Sequence, residues 1–307
     1  MTQTRPTLPA ARVGGPGEVL ADEQVRAFVL EQLGAADLDG RSVCVIVPDG
    51  TRSCPMPLLL GAVHEALHGR VTRLTVLVAL GTHARMGEAE LARHLGYPLG
   101  GFAERYPGAT VRNHEWWDPH TFASVGTIGA DRIAELSEGR LRQPVPVRLN
   151  RAVVEHDLTL VVGPVFPHEV VGFSGGNKYF FPGVAGQAII DFSHWLGALI
   201  TSATIIGTRG TTPVRALIDE AAALIPSRRL ALCVVVQSGT GALHAAAFGT
   251  PEQAWAACAD VSAQAHISYL DSPVRRVLSV LPAKYDDDQS ARIVPPINRL
   301  ATNIACI

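Results

Sequence analysis

The chain has 307 residues, 47% of them hydrophobic and 18% charged, with a formal net charge of −2 and a sequence pI near 6.6. That length supports one large core or two smaller ones, and the near-neutral balance offers no basic face for nucleic acid and no polybasic run for anionic lipid. The five cysteines (Cys44, Cys54, Cys233, Cys258, Cys306) are scattered, with no C-x-x-C spacing. This argues against a disulfide framework or a thiolate zinc site and fits a reducing cytoplasm.

Residues 1–14 have no continuous apolar segment after Arg5, so they fail as a secretory signal and are expected to form a mobile leader. No stretch approaches the roughly 20 apolar residues of a membrane span. Helical spacing over 21–34 leads to a β-branched strand, "SVCVIVP", at 42–48. A helix at 55–69, the strand "RLTVLVAL" at 73–80 and a helix at 87–96 follow. Between Gly96 and Asn150 repeated prolines break any long helix, which predicts short strands and loops. The strand "LTLVVGPV" at 158–165, a helix carrying His194, a helix at 212–225, the strand "RLALCVVVQ" at 229–237 and a helix at 250–267 complete the alternation. The expected fold class is α/β: a twisted, mainly parallel sheet with flanking helices, forming an N-terminal domain over residues 15–270. A last strand, "RRVLSVLP" at 275–282, would open a second α/β domain of which residues 271–307 are only an incomplete start with a divergent tail.

Open α/β sheets bind ligands beyond the carboxyl ends of their strands, which selects four places. After the first strand come Asp49, Thr51 and Arg52, and after the second come His83 and Arg85. After the third come His168, Glu169 and Lys178, with His194 further on. Asp49 and Arg52 read either as an exposed turn pair or as acceptor and two-pronged donor for a ribose and an anionic group. His83 and His168 read singly as hydrogen-bonded loop histidines, but each lies just past a buried strand, where two converging histidines could alternate as general base and acid near neutral pH. His194 reads either as a helix-face histidine or as an imidazole ligand for nickel, zinc or copper.

Lys178 stands in "GFSGGNKYFFPG", and only one other lysine, Lys284, occurs among the 26 Lys and Arg. A chain that writes surface charge as arginine has little use for a filler lysine. An amine, unlike a guanidinium, loses its proton and becomes a nucleophile. The glycines Gly172, Gly175 and Gly176 would let backbone N–H groups approach an anion, although the order of residues is not that of a P-loop.

In this order the segments "DGTR" (49–52), "GTH" (81–83), "PHEVVGFSGGNKYFFPGVAG" (167–186) and "SHW" (193–195) resemble the nickel-dependent lactate racemase family. In that family a histidine precedes the cofactor-bearing lysine by ten residues and a metal-binding histidine follows it by sixteen, as His168, Lys178 and His194 do here. The resemblance implies that Lys178 bonds covalently to a nickel-pincer nucleotide and that His194 ligates its nickel. It further implies that Asp49, Gly50, Thr51, Arg52, Ser174, Gly175 and Gly176 hold the cofactor, with Arg52 also reaching the substrate carboxylate. His83 and His168 would be the paired acid/base residues, inverting C2 of a lactate-like 2-hydroxy acid by proton-coupled hydride transfer. The implied partners are that substrate and the cofactor-making enzymes, with a homo-oligomer as a further possibility.

Members of the family continue with a C-terminal domain that supplies a substrate-binding lysine soon after a segment like "YDD". Here Tyr285, Asp286 and Asp287 are kept, but no lysine follows Lys284, and Arg292 lies near that place. The expectation is a truncated C-terminal domain and weak or absent racemisation. Two alternatives stand beside it: a noncatalytic cofactor-binding homologue, and a zinc hydrolase using His83, His168 and His194.

Overall fold

The computed structural model describes residues 10–268 and Arg276. From the N-terminus the elements are β1 (Ala11–Gly14), α1 (Asp22–Ala35), β2 (Ser42–Pro48), α2 (Met56–Leu67), β3 (Arg73–Ala79) and α3 (Glu88–Leu95). Next come α4 (Phe102–Arg105), β4 (Ala109–Asn113), β5 (Phe122–Ile128), α5 (Ala130–Leu136), β6 (Val145–Asn150) and α6 (Arg151–Val154). They are followed by β7 (Leu158–Pro164), β8 (Pro167–His168), β9 (Gly172–Phe173), α7 (Gln187–Ile200), α8 (Ser202–Ile205), α9 (Pro213–Ala223), β10 (Arg228–Val236), β11 (Leu243–Gly249) and α10 (Pro251–His266).

Seven strands form one sheet in the order β1-β11-β10-β7-β2-β3-β4. The five from β10 to β4 are parallel, and β11 and β1 add antiparallel at one edge. The α/β class with a mainly parallel sheet is thus the observed fold. Both faces of the central strands are buried, which is why those strands read as unbroken apolar runs. In β2, Val43, Val45 and Val47 pack into one core with Val25, Phe28 and Val29 of α1 and Leu59, Leu60 and Val63 of α2. Cys44 and Ile46 point into the opposite core with Ile189, Leu217, Ile218 and Ala254, contributed by α7, α9 and α10. Each fully buried Leu, Ile or Val adds about 1.5–3 kcal/mol, so two such cores clamp the sheet from both sides.

Caps fix the helix starts that position the site. Thr212 Oγ1 accepts the Arg215 amide (3.1 Å), and Thr250 Oγ1 accepts the Gln253 amide (3.3 Å), each cap followed by a proline at the first helical residue. The region expected as short strands and loops holds β4, which joins the main sheet, and the antiparallel pair β5–β6, together with the short helices α4 and α5. One expectation is corrected. The leader assigned to residues 1–14 includes β1, whose residues pair with Ala245–Phe248 of β11 and are therefore held by a ladder of backbone hydrogen bonds. The strand expected at 275–282 lies outside the described residues, apart from Arg276. Among the described residues no helix is long and apolar enough to cross a membrane.

Candidate active site

The sheet grows from β2 in opposite directions, to β3 and β4 on one side and to β7 and β10 on the other, so strand order reverses between β2 and β7. A crevice opens at such a reversal beyond the carboxyl ends of the strands. Asp49–Arg52 leave β2 there, His83 follows β3, and Phe166 and His168 follow β7.

Asp49 is 5% exposed, and both of its oxygens are engaged. Oδ2 accepts from His83 Nδ1 at 2.5 Å, while Oδ1 accepts from the Thr51 amide (3.1 Å) and hydroxyl (2.5 Å). Burial pushes this carboxyl up, but the hydrogen bond and charge of His83, the Thr51 hydroxyl and the Arg52 cation outweigh it and hold the pKa below its ordinary value. A carboxylate bonded to Nδ1 fixes the proton on that nitrogen and leaves the Nε2 lone pair of His83 outward, ready to accept a proton. In the structure the Asp49 carboxylate is engaged by His83 and Thr51. Arg52 donates to Thr51 Oγ1 (3.2 Å) and lies over the Phe166 ring, 5.6 Å from its centroid. Gly50 is exposed at the turn.

His168 is 6% exposed. Burial, followed by the charges of Lys178, Arg52, His194 and Arg215, drives its pKa well below the ordinary histidine value, so the ring is neutral at physiological pH. Its Nδ1 accepts the Val170 amide (3.1 Å) and lies 3.3 Å from Glu169 Oε2. With the ring neutral, that second contact is not an ion pair. It offers an alternative acceptor for an Nδ1 proton, which would free Nε2.

Lys178 lies in a 3₁₀ turn, Gly176–Tyr179, and is partly buried. Its amine has no hydrogen bond or ion pair among the described residues. Burial first, then the Arg52 cation, lowers its pKa to about 7 against the opposing charge of Glu169. Half of the amine is therefore uncharged near neutral pH. Its acylation rate in the native chain, followed by peptide mapping, should reach half-maximum near pH 7; a midpoint at the ordinary lysine value near 10.5 would contradict the site's electrostatics.

The residues just before Lys178 shape the loop that presents it. Ser174, 6% exposed, accepts the Phe166 amide (3.0 Å) and donates to the Pro164 carbonyl (3.2 Å). Gly175 has φ +83, and a Cβ there would lie 2.5 Å from Val165 Cγ2. Gly176 has φ +58, would meet the Pro251 carbonyl oxygen and Trp255 Cβ at 2.8 Å each, and turns its N–H toward the Cys233 thiol. Left-handed backbone and close packing require glycine at 175 and 176, whatever the loop also offers a ligand.

Sequence reasoning missed the support beneath this loop. Arg215, only 1% exposed, donates to the carbonyls of Phe173 (2.6 Å) and Gly175 (3.2 Å) and stacks 4.3 Å from the Trp255 centroid. Burial lowers its pKa to about 10. Asn177 donates to Asp219 (2.9 Å) and Glu252 (2.7 Å) and accepts from Arg229 (2.9 Å), tying the residue next to Lys178 to α9, α10 and β10. A signal was available, because Arg215 falls on the apolar stripe of α9 with Ile218 and Ala222.

His194 is on α7, exposed, with Nδ1 donating to the Ile190 carbonyl (2.8 Å), which leaves Nε2 free as a ligand atom. The protein crowding its ring, and then the Lys178 cation, lower its pKa against the bond to Ile190. Among the described residues no three His, Cys, Asp or Glu side chains converge as a metal site, so His83, His168 and His194 do not form a ready-made zinc ligand set.

Residues 29–205 match the family described as the lactate racemase N-terminal domain. The chain belongs to that family. Every expected site residue from Asp49 to His194 lies inside the matched stretch. The chain is 28% identical over 158 residues to a lactate racemase of Thermoanaerobacterium thermosaccharolyticum, covering 50% of this chain and 32% of that protein. It is 25% identical over 177 residues to a lactate racemase of Lactiplantibacillus plantarum, covering 56% and 36% respectively. The chain thus spans about a third of the length of the curated relatives it matches. A crystal structure of a protein from Thermotoga maritima superimposes with TM-score 0.77 at 28% identity, over 88% of this chain and 66% of that one. The lactate racemase apoprotein of T. thermosaccharolyticum superimposes with TM-score 0.62 at 19% identity, over 84% and 63%, a likeness of fold.

Proposed function

We propose that the chain is a racemase or epimerase that inverts C2 of a lactate-like 2-hydroxy acid, using a nickel-pincer nucleotide tethered to Lys178. The observation that carries this reading is Lys178 itself: a partly buried amine with a pKa near 7 at the strand-order reversal, coupled electrostatically to His168, Arg52 and His194.

The residues present fit such a group. An unpartnered amine that is half uncharged at neutral pH suits an amide-type tether, and forming that bond removes a cation the site stabilises poorly. A lone imidazole with a free Nε2 suits a metal whose other ligands arrive with the bound group. When bound, the cofactor supplies a reversible acceptor for the hydride on C2.

The remaining work belongs to the chain. Arg52, its guanidinium held by Thr51 and Phe166, offers two parallel donors to the substrate carboxylate and fixes the reacting carbon. His83 Nε2 takes the hydroxyl proton as hydride leaves C2, and Asp49 stabilises the imidazolium that forms. His168, neutral and buried, serves the opposite enantiomer, with Glu169 available to take its Nδ1–H when Nε2 must accept. Inversion would follow if hydride were given back to the other face of the planar 2-keto acid while the histidine then holding the proton, His83 or His168, returned it to the oxygen. Chiral chromatography of a single lactate enantiomer incubated with the cofactor-loaded chain tests this. Slow progress towards a 1:1 mixture is expected, in keeping with the weak racemisation the sequence predicts, and unchanged enantiomeric excess at full Lys178 occupancy would overturn it.

A further inference from the structure

β4 lies beside β3 at the edge of the sheet, so the turn that follows β4 meets the loop that carries His83. Trp116 and Trp117 stand on that turn, 39% and 45% exposed, with ring centroids 5.8 Å apart in an edge-to-face pair. Trp116 Nε1 donates to the His83 carbonyl (2.9 Å), and backbone bonds from Trp116 to His114 and from Asp118 to Glu115 set the turn. His83, Ala84, Arg85, Trp116 and Trp117 line an open groove of about 360 Å³. Arg85 is exposed and makes no hydrogen bond or ion pair among the described residues.

Two indoles left half in water beside an unpaired guanidinium form a surface that gains by being covered. A cavity of roughly 150 Å³ already takes a benzene ring, so this groove has room for a ring and the carbon that joins it to C2. A methyl group would leave both indoles wet, and a second carboxylate would use Arg85 alone. An aromatic ring uses all three, lying against the indoles with its face open to the cation.

We infer that this groove receives the side group of the substrate, and that the group is an aromatic ring carried on C3 of the 2-hydroxy acid. The inference rests on the racemase reading for the place of the carboxylate and hydroxyl, at Arg52 and His83, whereas binding of the ring does not. Specificity then lies with Trp116, Trp117 and Arg85, outside the acid/base pair.

Equilibrium dialysis of the full chain against 3-phenyllactate, lactate and 2-hydroxysuccinate tests the inference without relying on tryptophan emission. Phenyllactate is expected to bind at least about tenfold more tightly than lactate. Trp117→Ala should weaken it about fivefold or more, and Trp117→Phe should retain most of the affinity. Trp117 is exposed, and thermal unfolding monitored by circular dichroism verifies that both variants fold. Equal binding of phenyllactate and lactate, or no effect of Trp117→Ala, would overturn the inference. So would tighter binding of 2-hydroxysuccinate that Arg85→Ala abolishes. A loaded chain that inverts lactate but does not prefer phenyllactate sinks the subsite alone. Tight, Trp117-dependent phenyllactate binding without inversion of any 2-hydroxy acid upholds the subsite and sinks the racemase reading.

Discussion

Asp49→Asn is expected to lower kcat of the cofactor-loaded chain by about 10²–10⁴-fold while leaving KM within a few-fold. The carboxylate holds the proton on His83 Nδ1 and keeps Nε2 as the acceptor. An asparagine keeps the size and the contact to Thr51, but its amide N–H donates to Nδ1, moves the ring proton to Nε2 and removes the base. It also removes the negative charge that stabilises the imidazolium formed in the reaction. The stability effect has its own pH signature. The folded pKa of Asp49 is lowered, so its contribution is present above the unfolded value and disappears as pH falls through the folded one. The native chain should therefore exceed the variant in stability at neutral pH, with the gap closing in acid. A kcat within threefold of native would show that His83 does not depend on Asp49.

Arg215→Met is expected to cost about 3–5 kcal/mol of folding stability, read as a fall in the urea midpoint at unchanged slope. Methionine refills most of the volume beside Trp255 but donates nothing, so the Phe173 carbonyl loses the Arg215 donor and the Gly175 carbonyl is left with the Lys178 amide. Those carbonyls belong to the loop that presents Lys178, and the lysine amide itself bonds to the Gly175 carbonyl (3.2 Å). Loss of stability should therefore be accompanied by loss of the depressed lysine pKa, with the acylation midpoint moving upward from about 7. A cost under about 1 kcal/mol with an unmoved midpoint would show that the loop holds itself.

The strands β2, β3, β7 and β10 were legible because both faces of each are buried, so no polar residue interrupts the run. β11 was not, since "LHAAAFG" is rich in alanine, a weak strand former, and its strand exists through pairing with β10 and β1. β1 hid in a segment rich in proline and glycine for the same reason: four residues become a strand only when an edge is offered. At the site, the spacing from His168 through Lys178 to His194 was legible because one continuous stretch carries all three. The Asp49–His83 bond was not, because it joins the ends of two neighbouring parallel strands 34 residues apart. The glycines around Lys178 have a packing role that the pattern alone does not reveal. Their pattern suits both an anion cradle and a tightly packed left-handed turn, and the positions of Val165, Trp255 and Cys233 show the packing that the turn requires.

Intact mass spectrometry of the full chain, coexpressed with cofactor-making enzymes, tests the tether at Lys178 most directly. One covalent adduct per chain, mapped to Lys178 and absent from Lys178→Arg, is the predicted result. A chain that inverts a 2-hydroxy acid while Lys178 stays unmodified would contradict it.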